Sequence, residues 1–173
     1  MWLFEDETDL LLFPPLRAGW RPRGEPAPVR LHGGNAKRVV FGTINGDTGR
    51  RLFLVRRRQR GADFRALLSA VRRQYRGWHV TLVLDEDSSH TAKHSVFWAE
   101  LMGIELQWLP KRSPELNPMD QLWGHGKDHV CANRQYESID EQADKFVEFL
   151  AGLSPQDALR QAGIRSDSFW LRT

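Results

Sequence analysis

The sequence predicts an α/β domain built on a mixed sheet, and three observations carry that expectation. Two runs rich in β-branched and aromatic residues, 38–45 and 51–56, flank Gly46-Asp47-Thr48-Gly49, a turn that joins antiparallel strands. At Gly61 the apolar period lengthens from strand-like to helical. Between residues 79 and 109 a strand, a helix and a second strand follow one another, the order of a βαβ unit whose strands pair in parallel. An antiparallel opening followed by a parallel unit requires one sheet of mixed direction with helices packed on it.

Taken in order, residues 2–4 are bulky and apolar and run into Glu5-Asp6-Glu7, a first strand with Asp6 at or near its end. Residues 10–13 predict a second short strand, stopped by Pro14-Pro15 because proline donates nothing to a ladder. Gly19 to Gly24 is a loop with basic and aromatic character, and the hairpin 38–56 follows. Phe64, Leu67, Leu68, Val71 and Tyr75 fall at helical spacing, with Arg65, Arg72, Arg73 and Arg76 largely off that stripe. The strand 79–85 is apolar on both faces, as a central buried strand is. A helix over about 91–102 and an alternating strand 104–109 complete the unit. Pro110 and Pro114 then interrupt, and a helix begins near Asn117-Pro118, with Asn as cap and Pro in the first turn. Ile139, Ala143, Phe146, Val147 and Leu150 mark one more amphipathic helix, and residues 154–173 read as a short helical tail.

The chain of 173 residues is the size of one ordinary domain. No apolar run approaches the ~18 residues of a membrane span, and the acidic N-terminus lacks the features of a secretory signal. Cys131 is the single cysteine, so an intrachain disulfide is excluded and a reducing, cytoplasmic setting is expected. Net charge is only +3, but residues 1–80 hold sixteen Lys/Arg against seven Asp/Glu, and residues 81–173 hold nine against fifteen. Twenty of the twenty-five cations are arginine, densest at Arg56, Arg57, Arg58 and Arg60. The guanidinium fork matches phosphate oxygens, which points to nucleic acid; a solvated basic face is the alternative.

Two segments place carboxylates at element ends: the strand ending in Asp85-Glu86-Asp87, and the helix start that carries Asp120. Divalent cations such as Mg²⁺ or Mn²⁺ take oxygen ligands, and a pair of ions ~3.5–4 Å apart serves phosphodiester chemistry. Three carboxylates from separate segments suffice to hold them. An acid at a strand end is more often an exposed terminus or a helix cap, so Asp85 alone does not establish a site.

The run Leu82-Val-Leu-Asp85 with His90-Thr91, followed by Leu109-Pro110 and Ser113-Pro114-Glu115-Leu116-Asn117-Pro118-Met119-Asp120-Gln121-Leu122-Trp123, closely resembles mariner-type transposases, above all their bacterial insertion-sequence branch. Thirty-four residues separate Asp85 from Asp120, a spacing that superfamily uses. Upstream, Phe4-Glu5-Asp6-Glu7 with Pro14, Trp20 and Arg23-Gly24 looks like the segment bearing the family's first catalytic aspartate. The resemblance implies a ribonuclease H-like fold, a metal-binding catalytic triad of Asp6, Asp85 and Asp120, two Mg²⁺ or Mn²⁺ ions, and DNA cleavage and strand transfer without a covalent protein–DNA bond. It departs from the bacterial branch in two places: Asp120 stands where Glu is usual, and Glu86 where Asn commonly follows the second aspartate.

Glu7, Glu86 and His90 are candidate supporting residues, with a solvated surface role as the alternative for each; for Glu7 and Glu86 a place behind the ligands is a further one. Arg21, Arg23, Arg56, Arg57, Arg58, Arg60 and Lys127 are candidate phosphate contacts. Trp108 and Trp123 read as core anchors. Complete members of the resembled family carry N-terminal helix-turn-helix domains; this chain is expected to be a single catalytic domain over 1–173 without one. The expected partners are DNA, a second copy of the chain when assembled on DNA, and a separately encoded DNA-binding domain, with no membrane. The competing readings are a non-catalytic fragment that binds DNA or a partner, and a non-specific metal-dependent nuclease. A nucleotide-binding domain fares worst, because no Gly-rich loop follows any strand.

Overall fold

One ten-residue strand, β1 (Trp2–Leu11), runs through the middle of the sheet where two short strands were expected. The structure, a computed structural model, describes residues 1–20, 22–25, 28–111 and 113–171. The acidic stretch does not break the strand, because its neighbour β2 (Lys37–Asn45) pairs with it antiparallel from Leu3↔Asn45 to Leu11↔Lys37. Ladder pairing along the whole length outweighs the poor strand propensity of Glu and Asp. Asp6 therefore lies in mid-strand rather than at a strand end.

The hairpin continues into β3 (Arg51–Arg56), and α1 (Gly61–Gln74) crosses the sheet on Phe64, Leu67, Leu68 and Val71. Each such side chain contributes roughly 1.5–3 kcal/mol on full burial. Strand β4 (Val80–Leu84) is buried at every position and lies parallel to β1, and β5 (Ile104–Trp108) lies parallel to β4. The sheet order is β3-β2-β1-β4-β5. The single helix expected over about 91–102 divides into a short turn, α2 (Ser88–Thr91), and α3 (Lys93–Leu101). Asp87 starts α2 by accepting the Ser89 N–H at 2.7 Å, an N-cap bond, and Ala92, with ψ at 132°, separates the two helices.

After Trp108 the chain makes a 3-10 turn at Pro114–Leu116 and enters α4 (Pro118–Gly126), which ends in a π-helical turn, Lys127–Cys131. Helices α5 (Ile139–Gly152) and α6 (Pro155–Gln161) close the chain, α5 capped by Ser138. The sheet separates two apolar clusters. Leu3, Val39, Phe41, Leu82 and Leu84 face α1 and α3, whereas Phe4, Leu10, Val40, Ile44 and Val83 face α4, α5 and α6. Among the described residues no helix is long and apolar enough to cross a membrane.

Candidate active site

The two-residue period of β1 sorts its acids onto opposite faces. Asp6 shares the face of Phe4 and points toward α4, while Glu5 and Glu7 share the face of Leu3 and point toward α1. On β4 the same period puts Asp85 on the face of Val83. The parallel register pairs Phe4 with Val83, and continuing it by two residues sets Asp85 beside Asp6. Both acids lie past the last β1–β4 pair, where the two strands part.

The third acid arrives with α4. Asn117 caps that helix by accepting the Met119 N–H at 3.1 Å, and its Nδ2 donates to the buried Glu5 carbonyl at 2.8 Å. One side chain thus starts the helix and ties its start to β1 beside Asp6. Asp120, in the first turn, is exposed and sits at the positive end of the helix dipole. Asp6, Asp85 and Asp120 together line one cavity of about 270 Å³, with Glu7, Leu109, Pro110, Ser113, Pro114 and Asn117 completing its wall. A larger cavity, about 800 Å³, opens at the other end of the strands beside Arg50, Tyr75 and Trp78, where Asp47 is the lone carboxylate among its lining residues.

Asp6 is held from behind. Trp123 Nε1 donates to its Oδ2 at 3.0 Å, and the indole lies against Phe53 and Phe146. The indole reaches Asp6 by crossing Gly42, the residue directly opposite Asp6 in the antiparallel register. A Cβ at residue 42 would lie 2.4 Å from the Trp123 ring, so only glycine leaves that passage open. Gly126 likewise gives way to Phe146, which a Cβ would meet at 2.7 Å. Its helix-weakening cost is therefore offset by the close approach of α5. Burial, with the charges of Glu7, Asp85 and Asp120, raises the Asp6 carboxyl to about 7. Crowded carboxylates of this kind are the donor set a hard divalent cation takes.

Behind Asp85 lies His90, wholly buried against Phe64 rather than on the surface. Its Nδ1 lies 3.0 Å from Asp85 Oδ1, and its Nε2 lies 2.9 Å from Glu7 Oε1 and 3.5 Å from Glu5 Oε2. Burial alone pulls the imidazole down, but the Glu5 charge and the bonds to Asp85 and Glu7 outweigh it and push it up to about 12. The His90 bond in turn holds the Asp85 carboxyl below the usual carboxylate range, against its partial burial. Burial drives Glu5 well above that range. Sequence reasoning passed over Glu5, although its place two residues after Leu3 puts it on an inward-facing position.

Other candidates divide. Glu7 lines the cavity, whereas Glu86 is paired with Lys111 at 3.1 Å and is not among the lining residues. Arg23, Arg57, Arg58 and Arg60 are exposed. Arg56 is half-buried and paired with Asp63 at 3.3 Å. Lys127 opens the π-helical turn and is partly buried. Arg21 lies outside the described residues. Trp123 is a core anchor as expected, but it also reaches the site.

The profile of the DDE superfamily endonucleases matches residues 2–142. The chain is 28% identical over 154 residues to an uncharacterized 39 kDa protein of insertion element IS630 from Shigella sonnei, covering 88% of this chain and 45% of that protein. It is 33% identical over 63 residues to the transposase of transposable element Tcb2 from Caenorhabditis briggsae, covering 33% of this chain and 23% of that one. The chain spans less than half the length of these curated relatives. Among solved structures, the mariner Mos1 paired-end complex with Mg superposes with a TM-score of 0.72 at 19% identity, covering 93% of this chain and 51% of that one. The sheet order, the helices on both faces and this superposition identify the fold as ribonuclease H-like.

Proposed function

The chain belongs to the DDE superfamily of endonucleases, in its mariner/IS630-type transposase branch, and on that premise we propose that it is a catalytic domain that cuts and joins DNA strands with two divalent ions held by Asp6, Asp85 and Asp120. The observation that carries this reading is the convergence of the three aspartates, from mid-β1, the end of β4 and the start of α4, on one cavity.

The donor set fits Mg²⁺ or Mn²⁺: three carboxylates, one of them raised to about 7 in part by its acidic neighbours. The mariner neighbour Mos1 was crystallised in paired-end complexes with Mn and with Mg, and as a strand transfer complex. Held there, two such ions would supply activation of the attacking hydroxyl and stabilisation of the leaving oxygen of a phosphodiester. The chain's own residues prepare that site. Trp123 and Asn117 fix Asp6 and the start of α4, and His90 aims Asp85. Arg57, Arg58 and Arg60 supply exposed cations that position a DNA backbone without reading its sequence. DNA is the substrate of this reading, and a second copy of the chain and a separate DNA-binding domain are its expected partners on DNA.

The test is incubation with supercoiled plasmid and with labelled oligonucleotide ends in Mn²⁺. Nicked and joined products are expected, and Asp85→Asn or Asp120→Asn should abolish both. Nicking without joining identifies a metal-dependent nuclease, and DNA binding without nicking a non-catalytic domain. Nicking that survives both substitutions overturns the assignment of the site.

A further inference from the structure

On the face of β1 opposite Asp6, Glu5, Glu7 and His90 bring one ligand atom each to within 4.8 Å of one another. Glu5 and His90 are both 0% exposed. His90 has two ring nitrogens, and both are committed, Nδ1 to Asp85 and Nε2 to Glu7. Glu5 is left over: no described group hydrogen-bonds to either of its carboxyl oxygens, and its nearest cation is His90 Nε2 at 3.5 Å. A buried carboxylate without donors is costly, and a protonated one still needs an acceptor for its O–H.

We propose that Glu5, Glu7 and His90 Nε2 form a second metal site, on the other face of β1 from Asp6 and sharing Glu7 with the wall of the aspartate cavity, that takes one borderline divalent ion of the zinc class. Donor atoms each ~2.0–2.2 Å from one tetrahedral ion lie roughly 3.3–3.6 Å apart; His90 Nε2 is already 2.9 Å from Glu7 Oε1 and 3.5 Å from Glu5 Oε2, and the two carboxylates have to close from at most 4.8 Å. The ion's two positive charges offset those of Glu5 and Glu7. The surroundings are those of a metal-ligating histidine, whose other ring N–H is held by a carboxylate or a carbonyl. Here Nδ1 faces both Asp85 Oδ1 at 3.0 Å and the Asp85 carbonyl at 3.2 Å. The ligating Glu7 oxygen is itself supported by Gln59 Nε2 at 3.0 Å. An imidazole among the donors favours Zn²⁺ over Mg²⁺, which takes carboxylates and water. The site is structural: it pins β1 to the segment after β4 and, through His90, fixes the orientation of Asp85.

The probe is Zn²⁺ alone, titrated calorimetrically into the full chain carrying Asp120→Asn, which weakens the aspartate cavity. Adding Glu5→Gln, which is isosteric and leaves no buried charge, should lower the stoichiometry by one equivalent while far-UV circular dichroism is kept. X-ray absorption at the zinc edge, with one equivalent loaded on a chain unaltered at Glu5 and His90, should show one imidazole nitrogen beside carboxylate oxygens. An unchanged stoichiometry, a titration with no bound equivalent, or zinc ligated by oxygen alone overturns the proposal. None of these readouts is DNA cleavage, so this site is decided separately from the transposase reading.

Discussion

Trp123 donates its indole N–H to Asp6 across 3.0 Å, joining the helix that carries Asp120 to the strand that carries Asp6. Trp123→Phe removes that donor and keeps an aromatic ring against Phe53 and Phe146. Partners that orient a metal ligand are typically worth 10–100-fold in metal affinity or activity. Mn²⁺-dependent nicking should fall by about that factor with the thermal midpoint little changed. Unaltered nicking across a Mn²⁺ titration would show that Asp6 needs no such support.

Gly42→Ala should reach the same defect from the other side of the indole. The new Cβ would lie 2.4 Å from the Trp123 ring, so the ring must shift. Overpacking of this kind costs roughly 1–3 kcal/mol. Urea unfolding should show that loss, and tryptophan fluorescence of the folded variant should differ from the parent.

Stability of the metal-free chain should fall as pH rises from 5 to 8. Asp6, raised by burial and by its acidic neighbours to about 7, keeps a proton that the unfolded chain releases above 3.8. His90, lowered by burial but raised further by Glu5, Asp85 and Glu7, stays protonated to about 12 while the unfolded imidazole releases its proton near 6.5. The native state therefore binds more protons in this window, and the slope of unfolding free energy with pH is negative. Asp85 and Asp87, both lowered, stabilise above their unfolded values and lose that contribution only in acid. Urea midpoints in EDTA at pH 5 and pH 8 check the sign, and Asp6→Asn should flatten the slope. A midpoint that rises with pH would contradict this electrostatic picture.

Replacing Arg57, Arg58 and Arg60 with Ala should weaken duplex DNA binding regardless of sequence. It should also reduce the slope of log affinity against log salt by up to about 0.9 per lost phosphate contact. Arg56→Ala should change that slope least, because Arg56 is already paired with Asp63. Fluorescence anisotropy over a salt series measures both.

The α/β class, the hairpin around Gly46–Gly49 and the parallel unit were legible because hydrophobic period and turn chemistry are local signals. The length of β1 was not, since what carries the strand through Glu5, Asp6 and Glu7 is pairing with residues more than thirty positions away. The three aspartates could be picked out from resemblance, yet their supports depend on registers no local pattern shows. Trp123 reaches Asp6 only because Gly42 lies opposite. Glu5 was the one legible feature passed over: an acid on an apolar face of a strand signals a buried charge in need of a partner.

Whether Asp6, Asp85 and Asp120 hold metal is decided by a crystal of the chain soaked in Mn²⁺ and measured at the manganese edge. Anomalous density is expected among the carboxylates of Asp6, Asp85 and Asp120, at ligand distances of roughly 2.0–2.6 Å, and its loss in Asp85→Asn. Manganese bound elsewhere on the chain, with none touching those three residues, would contradict it.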